Sequence, residues 1–234
     1  MLKTAVIVAG GSGKRMGTAL PKQFLDLKGK PILIRTVQTF LAIEKSLIIA
    51  LVLAEDHFHL WNKQAGIHIP KDQHQRIFLC TGGTSRAESV YSGLGGLAGQ
   101  VIDHQQSLVA IHDGVRPFVS KESILESYHL AQTQGAAVVC VPVKASIRQK
   151  TNNHRTKAVD RSLFYEVQTP QTFMLSSILQ AYQNRPHNKF TDDASLYEAL
   201  VGDVRICEGS YENIKITTPE DIIVGERILE RSGN

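Results

Sequence analysis

Ala5-Val6-Ile7-Val8-Ala9-Gly10-Gly11-Ser12-Gly13-Lys14-Arg15-Met16-Gly17 carries an apolar run straight into four closely spaced glycines and two cations, and Leu20-Pro21-Lys22-Gln23 adds a third cation. Glycines lack a Cβ, so backbone N–H groups can converge on one point, and such a nest binds anions. Basic side chains supply net charge and direction. The stretch reads as a strand followed by a loop that holds a polyphosphate. It is not a Walker A loop: Gly13-Lys14 is followed by Arg15, and position 8 is valine, not the first glycine of that motif. It is a poor dinucleotide fingerprint, because Gly11 and Gly13 are followed by Gly17, one residue late. An ordinary glycine-rich turn would leave Lys14, Arg15 and Lys22 repelling one another around nothing.

Outward from this loop, strand-like and helix-like segments alternate. Strands are expected at Thr4–Val8, Leu47–Leu53, Ile77–Cys80, Ser107–His112 and Ala136–Pro142. Helices are expected at Ile32–Leu41, Asp56–Gln64, Ser85–Leu94 and Lys121–Thr133. Apolar strands alternating with helices predict a parallel sheet covered on both faces, with ligand beyond the carboxyl ends of the strands. The pattern changes after Pro142. Ser146–Lys150 and Thr156–Arg161 flank Asn152-Asn153 and predict a hairpin with too few apolar residues for a core of its own. Such a hairpin is either an arm that packs on a partner chain or a solvated excursion. Helices at Ser176–Gln183 and Asp192–Val201, strands at Arg205–Glu208 and Ile214–Ile216, and a helix at Pro219–Arg231 complete the chain.

A chain of 234 residues with 42% hydrophobic and 21% charged residues suits one soluble domain spanning 1–234. The net charge of +4 comes without a long basic run, so nucleic acid is not an expected partner. No apolar stretch approaches the ~20 residues of a membrane span. The apolar run Ala5–Ala9 leads into glycines and lysine, unlike a secretory signal, so a cytoplasmic location is expected. Cys80, Cys140 and Cys207 each lie in a strand-like run and read as reduced buried thiols. His57 and His59 are joined by no further ligand at metal-site spacing.

Four further stretches could carry chemistry. Gly82-Gly83-Thr84-Ser85-Arg86 could hold sugar or base edges through backbone N–H groups and the hydroxyls of Ser85 and Ser89, or be a plain turn with a helix cap. His112-Asp113-Gly114-Val115-Arg116-Pro117 places an aspartate just past a buried strand, suited to magnesium or a sugar hydroxyl, or to an ion pair with Arg116. His112 reads as a satisfied strand-end histidine. Gln168-Thr169-Pro170-Gln171 sits between the hairpin and the next helix as a helix-start signal, and Thr191-Asp192-Asp193-Ala194 reads as a helix cap. Lys215 between two isoleucines either snorkels or points at a buried anion. No Ser–His–Asp set, activated cysteine or spaced carboxylate pair is apparent. The expected chemistry is therefore charge stabilisation during transfer at phosphorus, and an attacking phosphate monoester needs no strong base.

These segments, with Val159-Asp160-Arg161 and Asn213-Ile214-Lys215-Ile216-Thr217, make the chain resemble the 2-C-methyl-D-erythritol 4-phosphate cytidylyltransferases from Lys3 to the last helix. The resemblance implies a Rossmann-like nucleotidyltransferase fold, a three-layer α/β sandwich with a mostly parallel sheet and a protruding β-hairpin arm within residues 143–168. It implies joining of CTP and methylerythritol phosphate with release of pyrophosphate. Arg15 and Lys22 would hold the triphosphate and stabilise the transition state, with Lys215 near the α-phosphate or the acceptor phosphate. Ala9, Gly10, Gly11, Gly13, Gly83, Thr84, Arg86, Ser89 and Gly114 would bind the nucleotide, mostly through backbone groups. Asp113, Arg116 and Thr169 would meet the acceptor or metal-bound phosphates. Mg2+ would be held mainly by CTP, with Asp113 as a candidate ligand. Arg161 and Thr191 would reach a neighbouring subunit's site across a homodimer. Two departures stand out: Thr84 replaces an acidic residue common in the family, and His112-Asp113-Gly114-Val115-Arg116 replaces a frequent Asp-Ala-Ala-Arg form. Three other readings compete: a ribitol 5-phosphate cytidylyltransferase, a nucleotide-binding regulator without catalysis, and a dehydrogenase. Arg161 favours the shorter branched acceptor, the retained cations oppose the second reading, and the Gly13–Gly17 spacing opposes the third.

Overall fold

The computed structural model describes residues 1–11, 20–101, 103–151, 155–186 and 190–231. The strands are β1 (Leu2–Val8), β2 (Asp26–Leu27), β3 (Lys30–Pro31), β4 (Ile48–Leu53), β5 (Ile77–Thr81), β6 (Ser107–Asp113), β7 (Ala136–Pro142), β8 (Arg148–Lys150), β9 (Thr156–Ala158), β10 (Tyr165–Met174) and β11 (Arg205–Glu208). The helices are α1 (Ile32–Leu41), α2 (Phe58–His68), α3 (Arg86–Gln100), α4 (Lys121–Gln134), α5 (Leu175–Gln183), α6 (Asp193–Leu200) and α7 (Pro219–Arg231).

Strand periodicity sorts the apolar residues into two cores, one on each face of the sheet. Ala5, Ile7, Ile49, Leu51, Leu108 and Ala110 pack with Val37 and Phe40 of α1, Trp61 of α2 and Tyr128 of α4. Their neighbours Val6, Ala50, Val52, Val109 and Ile111 pack with Val90 and Leu94 of α3, Ile178 of α5 and Tyr197 of α6. The result is three layers around a seven-stranded sheet of order β11-β7-β10-β6-β1-β4-β5. All neighbouring pairs are parallel except those made by β10, which runs antiparallel to both β6 and β7.

β10 overturns the expectation that Gln168–Gln171 is a connection and Thr169-Pro170 a helix start. Proline donates no ladder hydrogen bond and is normally kept out of central strands. Here the β10–β7 register shifts between Val167 and Gln171, so Pro170 falls where the ladder is already interrupted. The polar residues of β10 from Gln168 to Thr172 are buried but paired. Gln168 donates to the Ser210 carbonyl at 2.8 Å, Gln171 to Asp192 at 2.9 Å, and the Thr172 and Ser127 hydroxyls meet at 2.9 Å.

The hairpin expected around residue 153 is present as β8 and β9, shorter than the sequence suggests, with every residue of both strands exposed. From Tyr165 the chain is already part of β10. Ile214–Ile216 is not a strand; it is an irregular segment latched to the β6 loop by Ile216 N–H on the Val115 carbonyl at 2.9 Å. Cys140 and Cys207 lie buried on β7 and β11 as free thiols, whereas Cys80 on β5 is only partly buried, short of the burial expected. Among the described residues, no helix is long and apolar enough to cross a membrane.

Candidate active site

The sheet changes direction at β1, with β4 and then β5 on one side and β6 on the other. Loops leaving strands at such a switch point part and open a crevice beyond the carboxyl ends. Each loop is latched where it starts. Ala9 N–H donates to the Val52 carbonyl at 2.8 Å, Gly82 N–H to Leu53 at 2.7 Å, and Gly114 N–H to Val8 at 2.9 Å. The Gln23 side-chain amide donates to the Ala9 carbonyl at 2.7 Å, which ties the 3-10 turn Lys22–Phe24 to the end of β1. Two glycines are required by close approach. A Cβ on Gly83 would lie 2.3 Å from Glu88 Cβ, and one on Gly114 would lie 2.9 Å from both Ala9 Cβ and Leu33 Cδ1.

An open cavity of about 450 Å3 occupies the crevice. It brings together Ala9, Gly10, Gly11, Lys22, Gly83, Thr84, Arg86, Ser89, Asp113 and Lys215, all singled out from the sequence. Gly13 and Arg15 lie outside the described residues. Gly114 supports the wall from behind, and Arg116 and Thr169 stand behind Asp113. Thr191 lines a neighbouring cavity of about 710 Å3 that shares Ser85 and Arg86 with the first. Arg161 lies in a 3-10 turn at the base of the hairpin, lines neither cavity, and donates to the Lys144 carbonyl.

Ser89 and Thr84 serve the loop itself. The Ser89 hydroxyl accepts from Gly83 N–H at 3.1 Å and donates to the Ser85 carbonyl at 2.9 Å. Glu88 accepts from both the N–H and the hydroxyl of Thr84 at 2.7 Å, so an acid one helical turn later fixes this loop position.

Asp113 organises the charge. It is 6% exposed, with Lys215 Nζ at 3.0 Å, Arg116 Nε at 3.3 Å and Arg86 Nε at 3.5 Å. Burial pushes its carboxyl up, but Arg86, Lys215 and Arg116 outweigh this and hold it well below the usual carboxylate range. Asp113 therefore stays ionised and cannot act as an acid or base near neutral pH. The ion pair with Arg116 expected from the sequence is present, and Asp113 also faces the cavity. Lys22 reaches over to the Ile216 carbonyl at 3.3 Å.

His112 is buried, and burial lowers its pKa to about 4, so the ring is neutral. Its hydrogen bonds fit one pattern. The Thr169 hydroxyl accepts from Asp113 N–H at 3.1 Å and donates to His112 Nδ1 at 3.0 Å; Nε2–H donates to the Arg116 carbonyl at 3.0 Å. The strand-end histidine thus fixes the loop that carries Asp113 and Arg116.

Some supporting residues escape sequence reasoning. Asn213 donates to Gln168 at 3.0 Å and to the Thr169 carbonyl at 2.9 Å, while its own carbonyl accepts from Arg116 at 2.8 Å. This anchors the irregular segment that presents Lys215. The only sequence signal was adjacency to Lys215, and Gln23 likewise was marked only by its place beside Lys22.

Backbone amides and paired cations around an open cavity suit transfer of a phosphorus group without a protein nucleophile. On this sheet they define a nucleotidyltransferase. Residues 3–231 match the model of a family described as 2-C-methyl-D-erythritol 4-phosphate cytidylyltransferase, and the chain belongs to that family. A relative of that name from Bacillus velezensis is 42% identical over 233 residues, covering 98% of this chain and 97% of the relative. Another, from Phocaeicola vulgatus, is 39% identical over 229 residues and covers 98% and 100% of the two chains. The crystal structure of a 4-diphosphocytidyl-2C-methyl-D-erythritol synthase from Anaerococcus prevotii superposes with a TM-score of 0.83 at 29% identity, covering 98% of this chain and 96% of that one.

Proposed function

We propose that this chain transfers CMP from CTP to 2-C-methyl-D-erythritol 4-phosphate and releases pyrophosphate. One observation carries the mechanism: Lys215 and Lys22 line the same cavity as Gly10 and Gly11, with Lys215 held 3.0 Å from an ionised Asp113. A phosphate oxygen of the acceptor attacks the α-phosphorus of CTP, and the bond to the bridging oxygen breaks as pyrophosphate leaves. A phosphate monoester is largely dianionic at neutral pH, so no protein base is needed. Lys22 and Lys215 stabilise the charge that builds on the α-phosphoryl oxygens, and Arg15 joins them by likeness to the family. Backbone groups from Ala9 to Gly11 and at Gly83 cradle the nucleotide, with Thr84, Arg86 and Ser89 shaping the wall. Asp113 would face the acceptor or the metal-bound phosphates, with Arg116 and Thr169 holding it from behind.

Magnesium fits this site as a companion of CTP. Among the described residues, Asp113 is the one carboxylate lining the cavity, its oxygens already face three cations, and no group of three metal-ligating side chains occurs. The ion would supply Lewis-acid charge to triphosphate oxygens.

The hairpin within 143–168 is read as a dimerisation arm. Leu163 is 76% exposed, and Phe164, Tyr165 and Val167 beside it are exposed too, an apolar surface suited to a second copy. Arg161 and Thr191 would then meet across the homodimer at the acceptor phosphate. We place its action in the cytoplasm, a reading that the free cysteines Cys80, Cys140 and Cys207 and the reaction class support.

The test is pyrophosphate release by the purified chain with CTP, magnesium and either methylerythritol phosphate or ribitol 5-phosphate. Turnover with methylerythritol phosphate is expected. Turnover with ribitol phosphate alone overturns the acceptor assignment, and tight CTP binding without turnover on either acceptor identifies a regulator.

A further inference from the structure

Asp193 opens α6, is wholly buried, and is served by donors from two other helices. Arg86 Nη1 and Nη2 reach its two carboxylate oxygens at 3.1 and 2.8 Å, and the Tyr182 hydroxyl donates to Oδ1 at 2.5 Å. A buried charge survives only with compensation of this kind. The remaining guanidinium nitrogen, Nε, lies 3.5 Å from Asp113, farther than Arg116 at 3.3 Å or Lys215 at 3.0 Å. Arg86 is thus shared between a buried acid and the acid of the cavity, and the buried acid holds the larger share.

The geometry points to Asp193 and Tyr182 as a positioning pair for cytidylyl transfer: they hold Arg86 back as a wall, so that Asp113 is left to organise Arg116 and Lys215. The inference rests on the reading of this cavity as the CTP site. Freed from Asp193, Arg86 would bring an uncompensated charge to the edge of a triphosphate cavity and draw Asp113 away from Lys215. A contact made equally with substrate and transition state raises affinity without raising turnover. The Tyr182 hydroxyl is separable from its ring, which stacks on Tyr91 with centroids 6.2 Å apart.

Steady-state kinetics and CTP titration calorimetry on wild type, Asp193→Asn, Tyr182→Phe and the Arg86→Gln/Asp193→Asn double variant test this. Asp193→Asn is expected to lose about tenfold or more in kcat while its CTP dissociation constant stays level or falls. Tyr182→Phe should move the same way by a smaller factor, because both Arg86 contacts to Asp193 stay in place. The double variant should recover part of the kcat lost by the single one, because removing both members of a buried pair harms less than stranding one. A CTP dissociation constant that rises in step with the loss of kcat, or a double variant no faster than the single, overturns the proposal. If Asp193→Asn does not fold by circular dichroism, Tyr182→Phe decides, and wild-type kinetics there overturn it. An inactive wild type in the same assay instead sinks the reading of the cavity itself.

Discussion

The carboxyl end of β6 and the β8–β9 hairpin use charged residues in opposite ways. Around Asp113, Arg86, Arg116 and Lys215 converge from three separate segments on a carboxylate that is 6% exposed. In the hairpin, Arg148, Lys150 and Lys157 stand in solvent on a ladder of three residue pairs. Paired charges beneath low-dielectric walls keep one geometry, whereas exposed ones are screened and gain little. The first region is built before substrate arrives. The second has no core of its own, so whatever fixes it comes from a surface it packs on.

Removing a cation from the built region should have the largest effect. Lys22→Ala should lower kcat by about 10²- to 10³-fold, the scale of losing one preorganised transition-state donor, with a far smaller change in CTP affinity by calorimetry. Unchanged turnover would remove Lys22 from this role.

The next effect is on stability. His112 has a folded pKa of about 4, below its ordinary 6.5, so the unfolded chain takes up the proton first. The stability it contributes is complete above the ordinary value and is lost as pH falls through the folded one, by about 3 kcal/mol in all. Urea unfolding between pH 7 and 4 should show this slope, and His112→Gln should flatten it. A slope unchanged in that variant would assign the acid sensitivity elsewhere.

Gly114→Ala forces a Cβ to within 2.9 Å of Ala9 and Leu33, whereas a Cβ on Gly11 meets nothing within 4 Å among the described residues. The first should cost about 1–3 kcal/mol in chemical denaturation, the usual scale of overpacking, and Gly11→Ala much less. Equal costs would mean the wall is softer than its packing implies.

The smallest stability effect belongs to the hairpin. Arg161→Ala should shift unfolding by no more than about 0.5 kcal/mol, as for other exposed sites. Its consequence should fall on the KM for the acceptor phosphate. Mixed with Lys22→Ala, it should regain activity if the arm crosses to a second copy. No recovery on mixing counts against a shared site.

The same contrast explains what the sequence made legible. Glycines and charges at strand ends announce themselves by residue type, so Ala9–Gly11, Gly83, Arg86, Asp113 and Lys215 could be gathered before any coordinates. β10 could not be read as a strand, because Gln168, Thr169, Gln171 and Thr172 break the apolar pattern and Pro170 argues against a central position. Its burial depends on partners distant in sequence, such as Ser127, Asp192 and Ser210. Asp193 was legible only as part of a helix cap, since its pairing with Arg86 spans 107 residues. Local patterns report strand and loop chemistry, whereas satisfaction of buried polar groups is a property of the assembled fold.

Lys22 touches the Ile216 carbonyl across 194 residues of chain, and Lys215 sits one step before that contact. The two cations that line the cavity thus come from distant parts of the chain, and only folding brings them together. A change that loosens the Asn213–Ile216 segment would therefore disturb both cations at once, because Lys22 is bonded to the carbonyl of the residue after Lys215.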